Sequence, residues 1–218
     1  AGQRCSALRM LFIQEEVAEP ILRMLAGAMD ELSLGDPWDP ATDIGPVISD
    51  AARRDIDRHI AAARAAGRLV KQVEAPRAGS FVGPAVIRLN GIAELEREVF
   101  GPVLHVATFA SGELDRVVDA INATGYGLTF AMHSRIDDRV DQVTKRLKAG
   151  NLYINRNQIG AVVGSQPFGG EGLSGTGPKA GGPAYAARLV RAGPMPAADG
   201  APGPAPGPAA DAAAVQRA

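Results

Sequence analysis

Apolar residues recur along this chain with a helical period in some stretches and with a strand-like density in others. Residues 8–14 form a short apolar run bounded by polar residues, which predicts a strand. Residues 15–32 follow a period near 3.6, which predicts an amphipathic helix whose apolar face is Val17, Ile21, Leu25, Ala28 and Leu32. Pro20 is tolerated only in the first turn of a helix, so we expect this helix to begin later than Glu15.

The same alternation continues through most of the chain. Further helices are predicted at about 50–66, 113–123 and 136–147, with a short helical piece at 92–97. Strands are predicted at about 69–73, 85–89, 103–109, 128–133 and 151–155. Ser49 or Asp50 is expected to cap the second helix, and Gly67 to end it. Strands alternating with helices predict an α/β fold with a mostly parallel sheet.

Glycine dominates residues 166–182, so neither a helix nor a regular strand is expected there. Small residues in turns can aim successive N–H groups at one point and bind an anion, but a flexible surface loop fits the pattern equally well. Residues 192–218 are mostly Ala, Pro and Gly without apolar periodicity, which predicts a disordered tail or linker. We therefore expect one domain over residues 1–191 and a tail over residues 192–218.

The composition is that of an ordinary soluble globular protein. The chain has 218 residues, of which 46% are hydrophobic, and a net charge of -1. The small charge gives no electrostatic reason to expect nucleic acid or an anionic membrane as a partner. A single cysteine forms no internal disulfide and favours a reducing cytoplasm. No apolar run approaches the roughly 20 residues of a membrane span. The chain opens without Met inside a predicted loop, so we expect a fragment of a longer protein.

The single thiol, Cys5, is the candidate nucleophile. A lone cysteine is more often a buried, inert side chain. Here it follows Gly2-Gln3-Arg4 and precedes Ser6, and a neighbouring cation favours the nucleophilic thiolate. One histidine falls on the polar face of a helix, and two fall in strand-like runs where their side chains are expected to be packed. None is therefore given a catalytic or metal-binding role: His59, His105 and His133. No metal site is predicted.

A second candidate segment is Glu98-Val99-Phe100-Gly101-Pro102. A solvated Glu and a core Phe before a Gly-Pro turn would explain it without any function. The alternative is a ligand site, because a carboxylate only accepts hydrogen bonds and can take both hydroxyls of a ribose at once.

These motifs resemble those of the aldehyde dehydrogenase superfamily. Gly2-Gln3-x-Cys5 is similar to its nucleophile motif, and further signatures follow in the family's order at 35–49, 98–102, 122–129 and 167–175. The last of these is Pro-Phe-Gly-Gly-x-x-x-Ser-Gly. Its continuation Gly-Thr-Gly-Pro-Lys-Ala-Gly-Gly, with Asn-Arg-Asn at 155–157 and Gly-Ala-Val-Val-Gly at 160–164, resembles the Δ1-pyrroline-5-carboxylate dehydrogenase branch. Within that branch, the likeness is to the dehydrogenase half of the bifunctional proline utilization A flavoproteins.

The resemblance implies a three-layer, open, mostly parallel sheet and NAD-dependent oxidation of L-glutamate γ-semialdehyde to L-glutamate. Cys5 would carry a thiohemiacetal and then a thioacyl intermediate, and its backbone N–H would form half of the oxyanion site. Glu98 and Phe100 would contact the nicotinamide ribose. Four residues would bind the substrate: Ser6, Phe168, Ala180 and Gly181.

The resemblance also implies parts that this chain does not contain. The family's dinucleotide-binding domain, its general-base glutamate and the asparagine of its oxyanion site all precede the cysteine, so the fragment alone is expected to be inactive. FAD would bind only in an upstream proline dehydrogenase domain. The longer protein is expected to be a cytoplasmic homo-oligomer acting on a small molecule. Two alternatives stay open: another semialdehyde or aldehyde dehydrogenase, and a non-catalytic assembly module with a vestigial cysteine.

Overall fold

Strands and helices alternate along the computed structural model, which describes residues 1–162, 165–175 and 177–190. The helices are α1 Glu15–Asp30, α2 Asp50–Ala65, α3 Leu114–Ala123 and α4 Asp137–Arg146. The strands are β1 Met10–Gln14, β2 Leu69–Gln72, β3 Ala85–Arg88, β4 Val103–Phe109, β5 Tyr126–Gly127, β6 Thr129–Met132, β7 Asn151–Ile154 and β8 Glu171–Gly172. Short 3-10 turns cover Ile92–Glu94 and Ala186–Leu189. The predicted tail over residues 192–218 lies outside the described residues. None of the described helices is long and apolar enough to cross a membrane.

The main sheet has the strand order β1-β4-β3-β2. β4 pairs in parallel with both β1 and β3, and β2 joins the edge of β3 in antiparallel fashion. A second, parallel pair is formed by β6 and β7, while β5 and β8 form a two-residue antiparallel pair. The prediction of a mostly parallel sheet is confirmed.

Helices cover both faces of the main sheet, as the alternation of side chains along β3 shows. Ala85 and Ile87 pack in the same apolar cluster as Ile56 of α2. Val86, which points to the opposite face, packs in a separate cluster with Leu22 of α1. The molecule therefore has the three layers that the resemblance implied. A third cluster lies between the β6–β7 pair and the helices α3 and α4.

Helix α1 begins at Glu15 and runs through Pro20, so the prediction of a later start is wrong. Pro20 is the sixth residue of the helix, past the first turn, and it has no N–H to donate to the preceding turn. The helix nevertheless continues because one face is buried against the sheet through Ala18, Leu22 and Met29. Burial of this face outweighs one missing backbone bond. The buried face is not the predicted apolar face, of which Val17 and Ile21 are exposed.

Local sequence signals elsewhere succeed in part. The Ser49 side chain accepts a hydrogen bond from the Ala52 N–H, which confirms it as the N-cap of α2, and Gly67 has the left-handed φ of 69° expected just after the helix. The helical piece predicted at 92–97 is only the 3-10 turn. Residues 166–182 do contain a strand, since β8 lies within them, so the expectation of no regular strand there is wrong.

Two histidines, His59 and His133, lie in surroundings that differ from those their positions in the sequence predict. His59 is not on the outer surface of α2; its Nε2 lies 2.8 Å from Nε2 of His105, which is fully buried. His105 is packed, as predicted, whereas His133 is exposed. Nδ1 of His105 lies 3.0 Å from the carbonyl oxygen of Arg9. Because a carbonyl only accepts, His105 donates from Nδ1. A neutral His105 then accepts at Nε2 from Nε2 of His59.

Burial lowers the pKa of both histidines below the ordinary value of 6.5. The charge of Arg97 also lowers the pKa of His59, against the raising effect of Asp55. For His105, the bond to the Arg9 carbonyl opposes the effect of burial. Since the unfolded chain binds more protons than the folded chain just below pH 6.5, the stability that this pair contributes is present above that pH and is lost as the pH falls below it.

An apolar groove of about 1110 Å³ separates β1 from β6. β1 is an edge strand of its sheet, and no other strand among the described residues pairs with its free side. The groove is lined by both strands and by apolar residues of α1 and α3: Val17, Ile21, Leu114, Val117 and Ile121.

Candidate active site

Cys5 lies in a loop, residues 2–7, that leads into β1 and that we call the nucleophile loop. Its thiol is exposed, and the N–H of Ala7 donates to the carbonyl of Arg4, 3.1 Å away, closing a turn around it. The side-chain oxygen of Gln3 accepts a hydrogen bond of 2.7 Å from the Ile48 N–H. Gln3 of the cysteine motif thus fastens the loop to the end of the segment 35–49.

Close backbone packing joins the nucleophile loop to residues 98–102, which we call the Glu98 turn. Gly2 has a φ of 67°, and a Cβ atom built on it would lie 2.2 Å from the carbonyl oxygen of Gly101. Gly101 in turn packs against Ile56 of α2, with room for no side chain of its own. Gly2 is therefore required for the loop and the turn to touch, and Gly101 for the turn to pack on α2.

The loop and the turn meet at a small cavity of about 210 Å³. Cys5, Glu98 and Phe100 all line it, so the structure brings the predicted nucleophile together with both predicted cofactor-binding residues. The remaining lining residues come from β5, from the residue after it and from the segment around β8: Tyr126, Leu128, Leu173 and Ser174. The cavity can hold a small organic group against the thiol.

Glu98 and Phe100 are partly exposed and present free binding groups. Glu98 is 45% exposed and lies 3.3 Å from Nε of Arg9, but it accepts no hydrogen bond from the described part of the chain. Phe100 is 41% exposed, and the Arg9 guanidinium lies 3.9 Å from its ring centroid. Each residue is thus held on one side by Arg9 and is open on the other.

Ser6 is buried, in contrast to the neighbouring Cys5. Its hydroxyl oxygen accepts a hydrogen bond of 3.2 Å from the N–H of Gly160. Accepting this bond uses a lone pair and leaves the hydroxyl proton for another acceptor. Ser6 therefore ties the nucleophile loop to the segment after β7, and its role toward a substrate stays a prediction.

Phe168, Ala180 and Gly181 line neither the small cavity nor the groove. Phe168 and Ala180 exchange two backbone hydrogen bonds of 2.9 Å, so the Ala180 N–H is already used. The amide of Asn151 donates to the carbonyl of Pro167 at 2.9 Å and accepts from the Gly169 N–H at 3.1 Å. These bonds fix the backbone on both sides of Phe168. Of the two predicted anion-binding amides, Gly181 is the one left to donate.

Sequence reasoning missed several residues of the site. Ser174 stands in the Pro-Phe-Gly-Gly-x-x-x-Ser-Gly motif and Tyr126 in the passage 122–129, so a signal for both was present. Arg9 was also detectable, as a lone charged residue inside the apolar run 8–14. Nothing in the sequence marks Asn151 as the residue that holds the backbone beside Phe168.

A family model described as the aldehyde dehydrogenase family matches residues 1–192. The chain belongs to the aldehyde dehydrogenase family. The resemblance inferred from the motifs is thereby confirmed.

Two curated relatives of this aldehyde dehydrogenase chain show what it is similar to. The chain is 57% identical over 203 residues to the bifunctional protein PutA of Klebsiella aerogenes, a match that covers 89% of the chain and 16% of that protein. It is 38% identical over 188 residues to the 1-pyrroline-5-carboxylate dehydrogenase of Geobacillus sp. strain WCH70, covering 85% of the chain and 36% of that protein. The chain thus spans only a minor part of the length of either relative.

Solved structures give the same result. A proline utilization A mutant, D779W, from Bradyrhizobium japonicum is 55% identical with a TM-score of 0.84, covering 87% of this chain and 19% of that one. The 1-pyrroline-5-carboxylate dehydrogenase from Thermus with bound NAD is 34% identical with a TM-score of 0.75, covering 83% of this chain and 35% of that one. The fold described above is therefore that of known members of the family.

Proposed function

We propose that this chain carries the catalytic cysteine of an NAD-dependent dehydrogenase that oxidises L-glutamate γ-semialdehyde, formed from Δ1-pyrroline-5-carboxylate, to L-glutamate. The observation that carries the proposal is the cavity in which the Cys5 thiol meets Glu98 and Phe100. The names of the relatives support the substrate, and the Thermus relative with bound NAD supports the cofactor.

The proposal includes a longer polypeptide, which we call the parent. The relatives are much longer than this chain, whose match covers 16% of one and 36% of another. The parent would supply the dinucleotide-binding domain and the general base, and this chain would supply the nucleophile.

Cys5 performs the covalent chemistry in this scheme. Its thiolate sulfur adds to the aldehyde carbon, forming a C–S bond and an oxyanion to which the Cys5 backbone N–H donates. That carbon then loses a hydride and becomes a thioester. Attack by water on the thioester breaks the C–S bond, releasing the carboxylate product and restoring the thiol. NAD, when bound, accepts the hydride.

The residues beside Cys5 suit the nicotinamide end of NAD. Glu98 accepts no hydrogen bond from the described residues, so both carboxylate oxygens are available for the two hydroxyls of a ribose. Phe100 offers an exposed ring for packing against the ribose and the nicotinamide. Both lie in the same cavity as the thiol, where a hydride acceptor is needed.

The substrate's α-carboxylate would be held by the Ser6 hydroxyl and the Gly181 N–H, with Phe168 against its methylene groups. Gly181 has a φ of 74° and is exposed. Because Phe168 and Gly181 lie outside the small cavity, the carboxylate end of the substrate would extend away from the thiol toward them. This part of the proposal predicts selectivity rather than reactivity.

Replacement of the nucleophile tests the reaction. In the parent, Cys5→Ser should abolish NAD-dependent oxidation of the semialdehyde, because a serine hydroxyl is far less acidic than a thiol at nearly the same volume. Circular dichroism and NAD titration should show an intact fold and cofactor site. A variant that keeps more than a small fraction of the activity would refute the assignment of Cys5.

Replacement of Ser6 tests the substrate class. The wild-type parent should prefer glutamate semialdehyde to pentanal, an uncharged aldehyde of similar length, in kcat/KM. Ser6→Ala should reduce this preference, because a charge-assisted hydrogen bond to the carboxylate is lost. Alkylation of Cys5 by iodoacetamide should continue in this variant. Equal kcat/KM values for both aldehydes in the wild type would refute the proposed substrate. The chain would then be assigned to an aldehyde dehydrogenase of another substrate class.

A further inference from the structure

Arg9 is a nearly buried arginine at the junction of the nucleophile loop and β1. Its side chain is 10% exposed, and its neighbours in the chain are apolar. Burial lowers its pKa, and electrostatic interactions with Glu98 and Cys5 oppose this effect. An arginine guanidinium is charged at all ordinary pH values. A buried charge is costly unless it is paired and hydrogen-bonded, so the partners of Arg9 indicate its role.

One side of the guanidinium holds the nucleophile loop. Its Nη1 donates to the Ala7 carbonyl at 2.8 Å, and its Nη2 donates to the Arg4 carbonyl at 3.0 Å. These two carbonyls flank Cys5 in the chain. A planar guanidinium fixes two acceptors at once, which a lysine ammonium on a flexible stem does not.

The other side of the same group holds the Glu98 turn. Nε lies 3.3 Å from Oε1 of Glu98, and Cζ lies 3.9 Å from the centroid of the Phe100 ring. Arg9 is therefore in contact with both predicted cofactor-binding residues and with the turn that carries the nucleophile.

The contact with Glu98 is an ion pair without a hydrogen bond. Nε of Arg9 is buried and has no hydrogen-bond partner within the described part of the chain, although the carboxylate is close. Arg9 thus provides the opposite charge that Glu98 needs and does not occupy its oxygens. Stacking likewise occupies one region of the Phe100 ring and leaves the exposed part free.

We propose that Arg9 is a positioning residue that holds the nucleophile loop and the Glu98 turn at a fixed separation. The thiol of Cys5 would thereby lie next to the reacting end of the cofactor. The inference rests on the proposed function, since it assumes that Glu98 and Phe100 contact NAD. Arg9 does not line the small cavity, so we place its effect in these two segments rather than at the reacting atoms.

A double-mutant cycle in the parent tests this role. Wild type, Arg9→Met, Glu98→Gln and the double variant are compared in the dissociation constant of NAD, measured by calorimetry, and in kcat/KM for NAD at saturating semialdehyde. Each single change should lower kcat/KM for NAD by about tenfold or more, because a charge-assisted contact is lost. If Arg9 acts through Glu98, the double variant should be no worse than the poorer single variant by more than about twofold.

A second readout does not require activity. In the NAD-free parent, Arg9→Met should speed amide hydrogen exchange in the nucleophile loop, residues 2–7, without a global change, because two carbonyl bonds are lost. Arg9→Lys keeps the charge but not the fork, so it should give an intermediate loss and serves if Arg9→Met does not fold. Arg88→Met is the matched control, because Arg88 forms an exposed ion pair with Glu19 and should leave NAD kinetics unchanged.

The outcomes separate this inference from the proposed function. Unchanged NAD affinity and kcat/KM in both Arg9 variants of an active parent would overturn the positioning role, as would fully additive losses in the double variant. A folded wild-type parent without NAD-dependent aldehyde oxidation would instead overturn the proposed function.

Discussion

Gly2→Ala is the sharpest test of how closely the nucleophile loop must approach the Glu98 turn. An alanine Cβ at this position would lie 2.2 Å from the Gly101 carbonyl oxygen, whereas real Cβ contacts under 3.0 Å essentially do not occur. The two segments must therefore separate by at least the difference, 0.8 Å. Alanine must also adopt the left-handed φ of 67°, which costs about 1–2 kcal/mol.

The loop should move rather than the turn. The Gly101 carbonyl already accepts a hydrogen bond of 2.8 Å from the Val103 N–H at the start of β4. Gly101 also packs against the side chain of Ile56, which is among the most buried of the described residues. Cys5, three residues from the substitution, would be carried away from Glu98. Misplacement of a reacting group by about 1 Å costs on the order of 100-fold in rate.

The assay is steady-state kinetics of semialdehyde oxidation in the parent, with iodoacetamide labelling to show that the thiol is still present. Gly2→Ala should lower kcat by about two orders of magnitude. Gly27→Ala is the matched control, because Gly27 is in α1 with open space around it and the change should stabilise the helix by about 1 kcal/mol. If Gly2→Ala keeps more than a third of the wild-type kcat, the close approach is not what places the thiol.

Three further outcomes are expected. Asn151→Ala should raise KM for the semialdehyde several-fold without changing Cys5 alkylation, because both hydrogen bonds that hold the backbone beside Phe168 are lost. In urea unfolding of the chain, the free energy of unfolding should fall as the pH drops below 6.5. His59→Gln should weaken this pH dependence because it removes one of the two titrating rings, while the glutamine amide can still donate to His105. His133→Gln should leave the pH dependence unchanged. Ser49→Ala should cost about 1 kcal/mol in the same assay by removing the N-cap of α2, and an unchanged midpoint would refute that role.

The spacing of apolar residues predicted those helices and strands that are long enough to bury one face. Helices α2 and α3 and strands β3 and β4 were foreseen because their apolar spacing reflects burial that the structure shows. Pairing between β5 and β8 was not foreseen, because strands of two residues are too short to show an alternation. The start of α1 was missed because burial of a whole helix face overrides the local cost of Pro20.

The site was predictable where a short sequence motif identifies a segment that forms part of it. The motifs around Cys5 and Glu98 identified segments that meet in one cavity, and the roles of these residues remain predictions. The contacts that join one segment of the site to another were not predictable, because they link residues far apart in the chain. Gln3 bonds to Ile48, and His59 lies against His105, and no spacing rule of a helix or strand connects such pairs.

The free side of β1 has a physical consequence for the chain by itself. Its backbone N–H and C=O groups face the apolar groove beside β6 with no strand across from them within the described residues. Such an edge is a template for another strand, and an identical molecule is the most abundant source of one. The isolated chain should therefore self-associate more readily as its concentration rises.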